Sequence, residues 1–114
     1  MRHLVMKSSF PARLVSGNHG AGTVVEYDFR SEGTSAGILT AVSPCFVSNY
    51  SAGNVLVKVN PSAVASLTSF DTIVPANQTI DVSREGLLAV KTLSIHCVAD
   101  CTTGKLTVTG IPIA

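Results

Sequence analysis

The chain has 114 residues, of which 46% are apolar and only 13% charged, and its formal net charge is +1. That length accommodates one domain with a substantial core, and that balance excludes an intrinsically disordered chain. The charged fraction is about half the roughly 25% of an average soluble domain, so partners, or Ser, Thr and Asn, are expected to cover much of the surface.

From Met1 to about Gly22 the texture is irregular. Ser8, Ser9 and Pro11 are followed by Gly17, Gly20 and Gly22 around His19, with little alternation outside Pro11 to Val15. Residues 1–22 are therefore read as an N-terminal arm or lead-in, and residues 23–114 as the folded domain. The arm carries Leu4, Val5, Met6 and Phe10, with Leu14 and Val15 behind them. Side chains of this kind are better placed against a neighbour than in solvent. Ser8-Ser9-Phe10-Pro11 follows the basic start where a secretory signal would have an apolar core. No segment reaches the ~18 continuous apolar residues of a membrane span. The expectation is synthesis in a cytoplasm, with any exit taking place inside a larger body.

Beyond Gly22 the dominant period is two, the signature of half-buried strands. Strand candidates run Thr23 to Phe29, Gly37 to Val42, Asn54 to Asn60, Thr68 to Val74, Thr79 to Val82, Lys91 to Cys97 and Gly104 to Gly110. Val55, Val57 and Val59 point to one face of their strand, as do Leu93, Ile95 and Cys97, and Leu106 and Val108. Turn signals separate the strands at Ser31-Glu32-Gly33, Ala52-Gly53-Asn54, Asn60-Pro61-Ser62, Pro75-Ala76-Asn77 and Arg84-Glu85-Gly86. Only Ser62 to Leu67 has the makings of a helical turn. The fold class is all-β: an antiparallel β-sandwich or jelly-roll-like barrel with an irregular N-terminal arm. The tail, Gly110-Ile111-Pro112-Ile113-Ala114, is apolar to its last residue, so Ile111 and Ile113 belong in the core or against a partner.

Chemistry-bearing patterns are sparse. The eight Lys and Arg are scattered singly rather than gathered into a phosphate-binding face, and Trp is absent, which argues against nucleic acid and against sugar-stacking sites. The three cysteines, Cys45, Cys97 and Cys101, make no disulfide framework. Cys97 and Cys101 could close a local loop under oxidising conditions, but free buried thiols are the simpler reading. His96 and Cys97 leave opposite faces of one strand, so a zinc site would need Cys97, Cys101 and a distant histidine, at no standard spacing. No serine lies in G-x-S-x-G, and Ser16-Gly17 follows no buried strand. Glu26 and Asp28 share a strand face but have no second set of oxygen ligands for calcium. Gly17 to Gly22 lacks the Lys-Ser/Thr ending and following helix of a phosphate loop, and reads as a turn. Asn77-Gln78-Thr79 fits the glycosylation pattern, which matters only on a secretory route. The expectation is a binding protein, with no catalytic residue, cofactor or metal.

Four segments together carry a resemblance: Asn54 to Asn60; Phe70-Asp71-Thr72-Ile73-Val74-Pro75-Ala76-Asn77-Gln78-Thr79-Ile80-Asp81-Val82; Leu88 to Ile95; and Gly104 to Gly110. They look like small β-sandwich structural proteins of tailed bacteriophages, over about the C-terminal half of the chain. Asn77 stands where those proteins would have glycine, a departure compatible with a left-handed turn position. The resemblance implies a virion structural protein of the capsid decoration (cement) type, often a trimer at capsid symmetry axes with arms across neighbouring subunits. Head-fibre, neck and tail accessory proteins are close alternatives, and a ligand- or receptor-binding sandwich is a further one. The implied partner is the major capsid protein or another virion protein, with Leu4, Val5, Met6, Phe10, Ile111 and Ile113 as the contact candidates. Neither nucleic acid nor membrane is implied. The implied location is the virion, after synthesis in the host cytoplasm.

Overall fold

In the computed structural model the described residues are 13–14, 18–29 and 41–113. They form eight strands: β1 (Arg13–Leu14), β2 (Val24–Asp28), β3 (Ala41–Asn49), β4 (Val55–Val59), β5 (Thr72–Val74), β6 (Gln78–Asp81), β7 (Thr92–Cys97) and β8 (Leu106–Ile113). The strands make two four-stranded antiparallel sheets, ordered β1-β8-β3-β6 and β2-β7-β4-β5. The sheets pack face to face as a β-sandwich, and no ladder between the named strands closes them into a barrel. Among the described residues no helix is long and apolar enough to cross a membrane.

The two-residue period decides which side chains meet. Val25, Val55, Val57, Val74, Leu93, Ile95 and Cys97 face inward from the second sheet, against Val42, Cys45, Val47, Leu106 and Val108 from the first. Phe29, fully buried, closes one end and sits edge-on to Tyr27 with ring centroids 4.9 Å apart. Burying each such side chain contributes about 1.5–3 kcal/mol.

Among these strands, only β4 and β5 are both consecutive in sequence and neighbours in a sheet. The other connections cross from one layer to the other. Pro75, Ala76 and Asn77 make one crossing, and Asn77 takes the left-handed conformation at φ 62°, as its turn position suggested. Each sheet ends in short strands: β1 and β6 have two and four residues, β2 and β5 five and three.

Several sequence expectations need adjustment. Of the strand expected at Gly37 to Val42, residues 37–40 lie outside the described residues, and the described strand runs on from Ala41 to Asn49 through Pro44. It tolerates the proline because one extra residue bulges out between Val42 and Cys45. Opposite the bulge, Gly110 has no room for a side chain: a Cβ there would sit 2.8 Å from Val42 Cγ2 and 3.0 Å from the Pro44 carbonyl oxygen. Thr68 to Asp71 lies outside β5, and Ser62 to Leu67 is not helical. Within the lead-in, Arg13–Leu14 pairs with Val108 and Thr107, and His19 bridges Cys101. The apolar tail continues β8, with Ile113 in register with Ala41.

Candidate interaction surface

The outward side of the β2-β7-β4-β5 sheet is partly covered by its own chain. Leu56, Ser94 and His96 point away from the core, and all three are buried. The cover is the segment between β4 and β5. Its Ala65 is 1% exposed and donates its N–H to Ser94 Oγ at 2.9 Å. Asn60, left-handed at φ 49°, starts the segment by accepting the Lys91 and Thr92 N–H groups on Oδ1. Asp71 ends it, its Oδ2 accepting the Val59 N–H at 2.8 Å.

Between these anchors the segment turns tightly. Ser66 and Ser69 exchange backbone hydrogen bonds, and the turn lifts Leu67 to 64% exposure. Val64 and Phe70 flank it, also exposed, and Ile73 projects from edge strand β5 on the same side of the sheet. Four large apolar side chains thus face solvent from one short stretch of chain. Sequence reasoning missed them, because residue type alone does not separate an outward leucine from a core leucine.

A second projecting feature is the turn after β6. Arg84, Glu85 and Gly86 are all left-handed, at φ 56°, 59° and 87°, and Leu87 beyond them is almost wholly exposed. Two non-glycine residues in this region cost about 1–2 kcal/mol each. Asp81 offsets that cost by gathering the turn. Its Oδ1 accepts the Ser83 hydroxyl at 2.6 Å and the Ser83 and Cys45 N–H groups. Partial burial pushes the Asp81 carboxyl up, but the bonds from Ser83, Cys45 and Glu85 outweigh it and hold it below the usual carboxylate range.

Glu26 and Asp28 do share one face, as the period required, and border a cleft of about 320 Å³ with Tyr27, Pro61, Thr92 and Leu93. Among the described residues no group of three His, Cys, Asp or Glu could hold a metal ion. His96 and Cys97 leave opposite faces of β7: Cys97 is in the core and His96 under the covering segment. Burial, followed by the nearby Asp81 charge, pushes the Cys45 thiol up to about 12, a poor setting for a nucleophile.

Of the contact candidates named from the sequence, Leu4, Val5, Met6 and Phe10 lie outside the described residues. Ile111 is 36% exposed on β8, and Ile113 belongs to the same strand. Of Gly17 to Gly22, compared above with a phosphate loop, the described residues 18–22 are bound up in contacts within the chain. Asn18 Oδ1 accepts the Thr103 N–H and hydroxyl, and Ala21 N–H donates to Asp100 Oδ1 at 2.8 Å. The chain matches no family model, no curated protein and no solved structure.

Proposed function

We propose that this protein is a virion structural protein of a tailed phage, of the capsid decoration type, that binds the major capsid protein lattice. The observation that carries the reading is the outward apolar group Val64, Leu67, Phe70 and Ile73 on an otherwise charge-poor β-sandwich. Contiguous exposed apolar surface favours docking to another protein. The resemblance of the C-terminal half to small phage sandwiches supplies the kind of partner. Binding works by mass action: each bound copy adds interface to the assembled shell and none to free subunits, so the shell resists rupture. The N-terminal arm and Ile111 are additional contacts in this reading, the protein is a homo-oligomer, and its action is binding rather than catalysis.

The test is co-sedimentation with expanded capsids that lack the protein. At micromolar concentration it is expected to pellet with the shells and to raise their disruption temperature. Retention in the supernatant would refute the proposal. The head-fibre, neck and tail alternatives are separated by repeating the experiment with isolated necks and tails.

A further inference from the structure

His96 points outward from β7 and is nonetheless only 8% exposed. Its Nδ1 is buried and has no hydrogen-bond partner among the described residues. On the same face Ser94 lies two residues back along β7 and Leu56 lies directly opposite on β4, both buried as well. The covering segment, residues 61–70, seats on this row through Ala65, whose N–H reaches Ser94 Oγ at 2.9 Å. Its ends are tied more firmly than its middle. Asn60 accepts the Lys91 and Thr92 N–H groups and donates its own Nδ2 to Ala89 O at 2.8 Å, and Asp71 accepts the Val59 N–H.

A neutral imidazole can leave Nδ1 as a bare acceptor, but the protonated ring must donate from both nitrogens. A buried N–H that carries charge and finds no acceptor is costly. The charged groups around the ring do not supply one. From β2, Val24 faces His96, and Glu26, exposed to water, stands beyond it opposite Ser94. From β4, Leu56 faces the ring, and Lys58 stands opposite the same serine. Residues 61–70 carry no charge, and Asp71 at their end is engaged by Val59. Glu26 and Lys58 thus flank Ser94 with opposite signs, and their effects on an imidazolium oppose each other.

We infer that the 61–70 segment is an acid-released cover, closed over neutral His96 and lifted when the ring takes a second proton. The closed form is favoured at neutral pH and is lost as pH falls through the range in which imidazole protonates, because only the open form gives the new N–H a water. The ends stay tied by Asn60 and Asp71, and the sandwich stays whole, because Leu93 and Ile95 on the other face of β7 keep their core contacts. The inference concerns the chain by itself and holds whether or not it docks on capsids.

The experiment follows amide exchange of the full chain by NMR at about pH 7.5 and about pH 5.5, each rate being divided by that of an unstructured chain at the same pH. Protection of the Ala65 amide is expected to fall at least ~10-fold at the lower pH, while the ladder amides of β4 and β7 keep theirs. The loss should follow the titration of the His96 ring signals in the same sample. His96→Gln should remove the acid response, and His19→Gln should leave it. If His96→Gln does not fold, the titration of the parent chain decides. Unchanged Ala65 protection, a loss shared equally by the β4 and β7 ladder, a loss that does not track the His96 ring, or an acid response that persists in His96→Gln would overturn the inference.

Discussion

Asn49, at the end of β3 in one sheet, donates its Nδ2 at 2.9 Å to the carbonyl of Val74, at the end of β5 in the other. The same amide donates to Gly53 O at 2.8 Å, while Oδ1 accepts the Ser51 N–H and hydroxyl. Asn49 is 0% exposed, so a buried amide with every partner in place ties the two layers together.

Asn49→Ala takes the amide partner from the buried Val74 carbonyl and from the Ser51 N–H, while the Ser51 hydroxyl and the Gly53 carbonyl keep each other, and it is expected to cost about 2–3 kcal/mol. Asn49→Asp is expected to cost at least as much, because it sets a carboxylate against the Gly53 and Val74 carbonyl oxygens. Urea unfolding checks both, with the midpoint falling and the slope unchanged. A change below about 1 kcal/mol for Asn49→Ala would show that the strut is dispensable.

Gly110→Ala tests the β3 bulge. The added methyl meets Val42, which is fully buried, and the Pro44 carbonyl, which is backbone, so neither neighbour yields easily. A loss of about 1–3 kcal/mol is expected. Gly20→Ala is the control, since its nearest neighbour would be Asp100 Oδ1 at 3.8 Å, and its unfolding free energy should be unchanged within about 0.5 kcal/mol.

Asp81 predicts a pH dependence of fixed sign. Its carboxyl is held below the ordinary value in the folded chain, so the stabilisation is present above the ordinary carboxylate pKa and is lost as pH falls through the folded value. Asp81→Asn should therefore be less stable than the parent at neutral pH, and the gap should narrow on acidification. Melting curves at a series of pH values measure the gap. A gap that widens toward acid would reverse the assigned role.

Val64→Ser with Leu67→Ser tests the outward apolar group. Both side chains are about half exposed or more, so the double variant should melt within a few degrees of the parent. Its affinity for decoration-free capsids should fall at least ~10-fold if these side chains anchor the contact. Unchanged affinity would move the contact elsewhere on the protein.

Much of the architecture could be read from the sequence, for a physical reason. β2, β4, β7 and β8 each turn one face to the apolar core, so Val55 and Val57, Leu93 and Ile95, and Leu106 and Val108 repeat at the strand period. β3 was harder, because Ser43 and Pro44 break its alternation at the bulge. Ser62 to Leu67 is no helical turn and Thr68 to Asp71 lies outside β5, because this segment serves two sides: Ala65 packs inward while Leu67 points to solvent. The outward apolar group was not legible at all, since exposure is a property of the folded sheet.

The rims of the two sheets have a consequence for the protein in bulk. A charge-poor, valine-rich sandwich offers few ionic brakes against strand-to-strand stacking between copies. Growth by edge pairing, however, needs a long open row of amides and carbonyls to copy. Among the described residues the outermost strands are at most five residues long, and one has only two. At these rims a second molecule finds little template to extend, and brevity at the margins takes over the protective role that charge plays in other proteins.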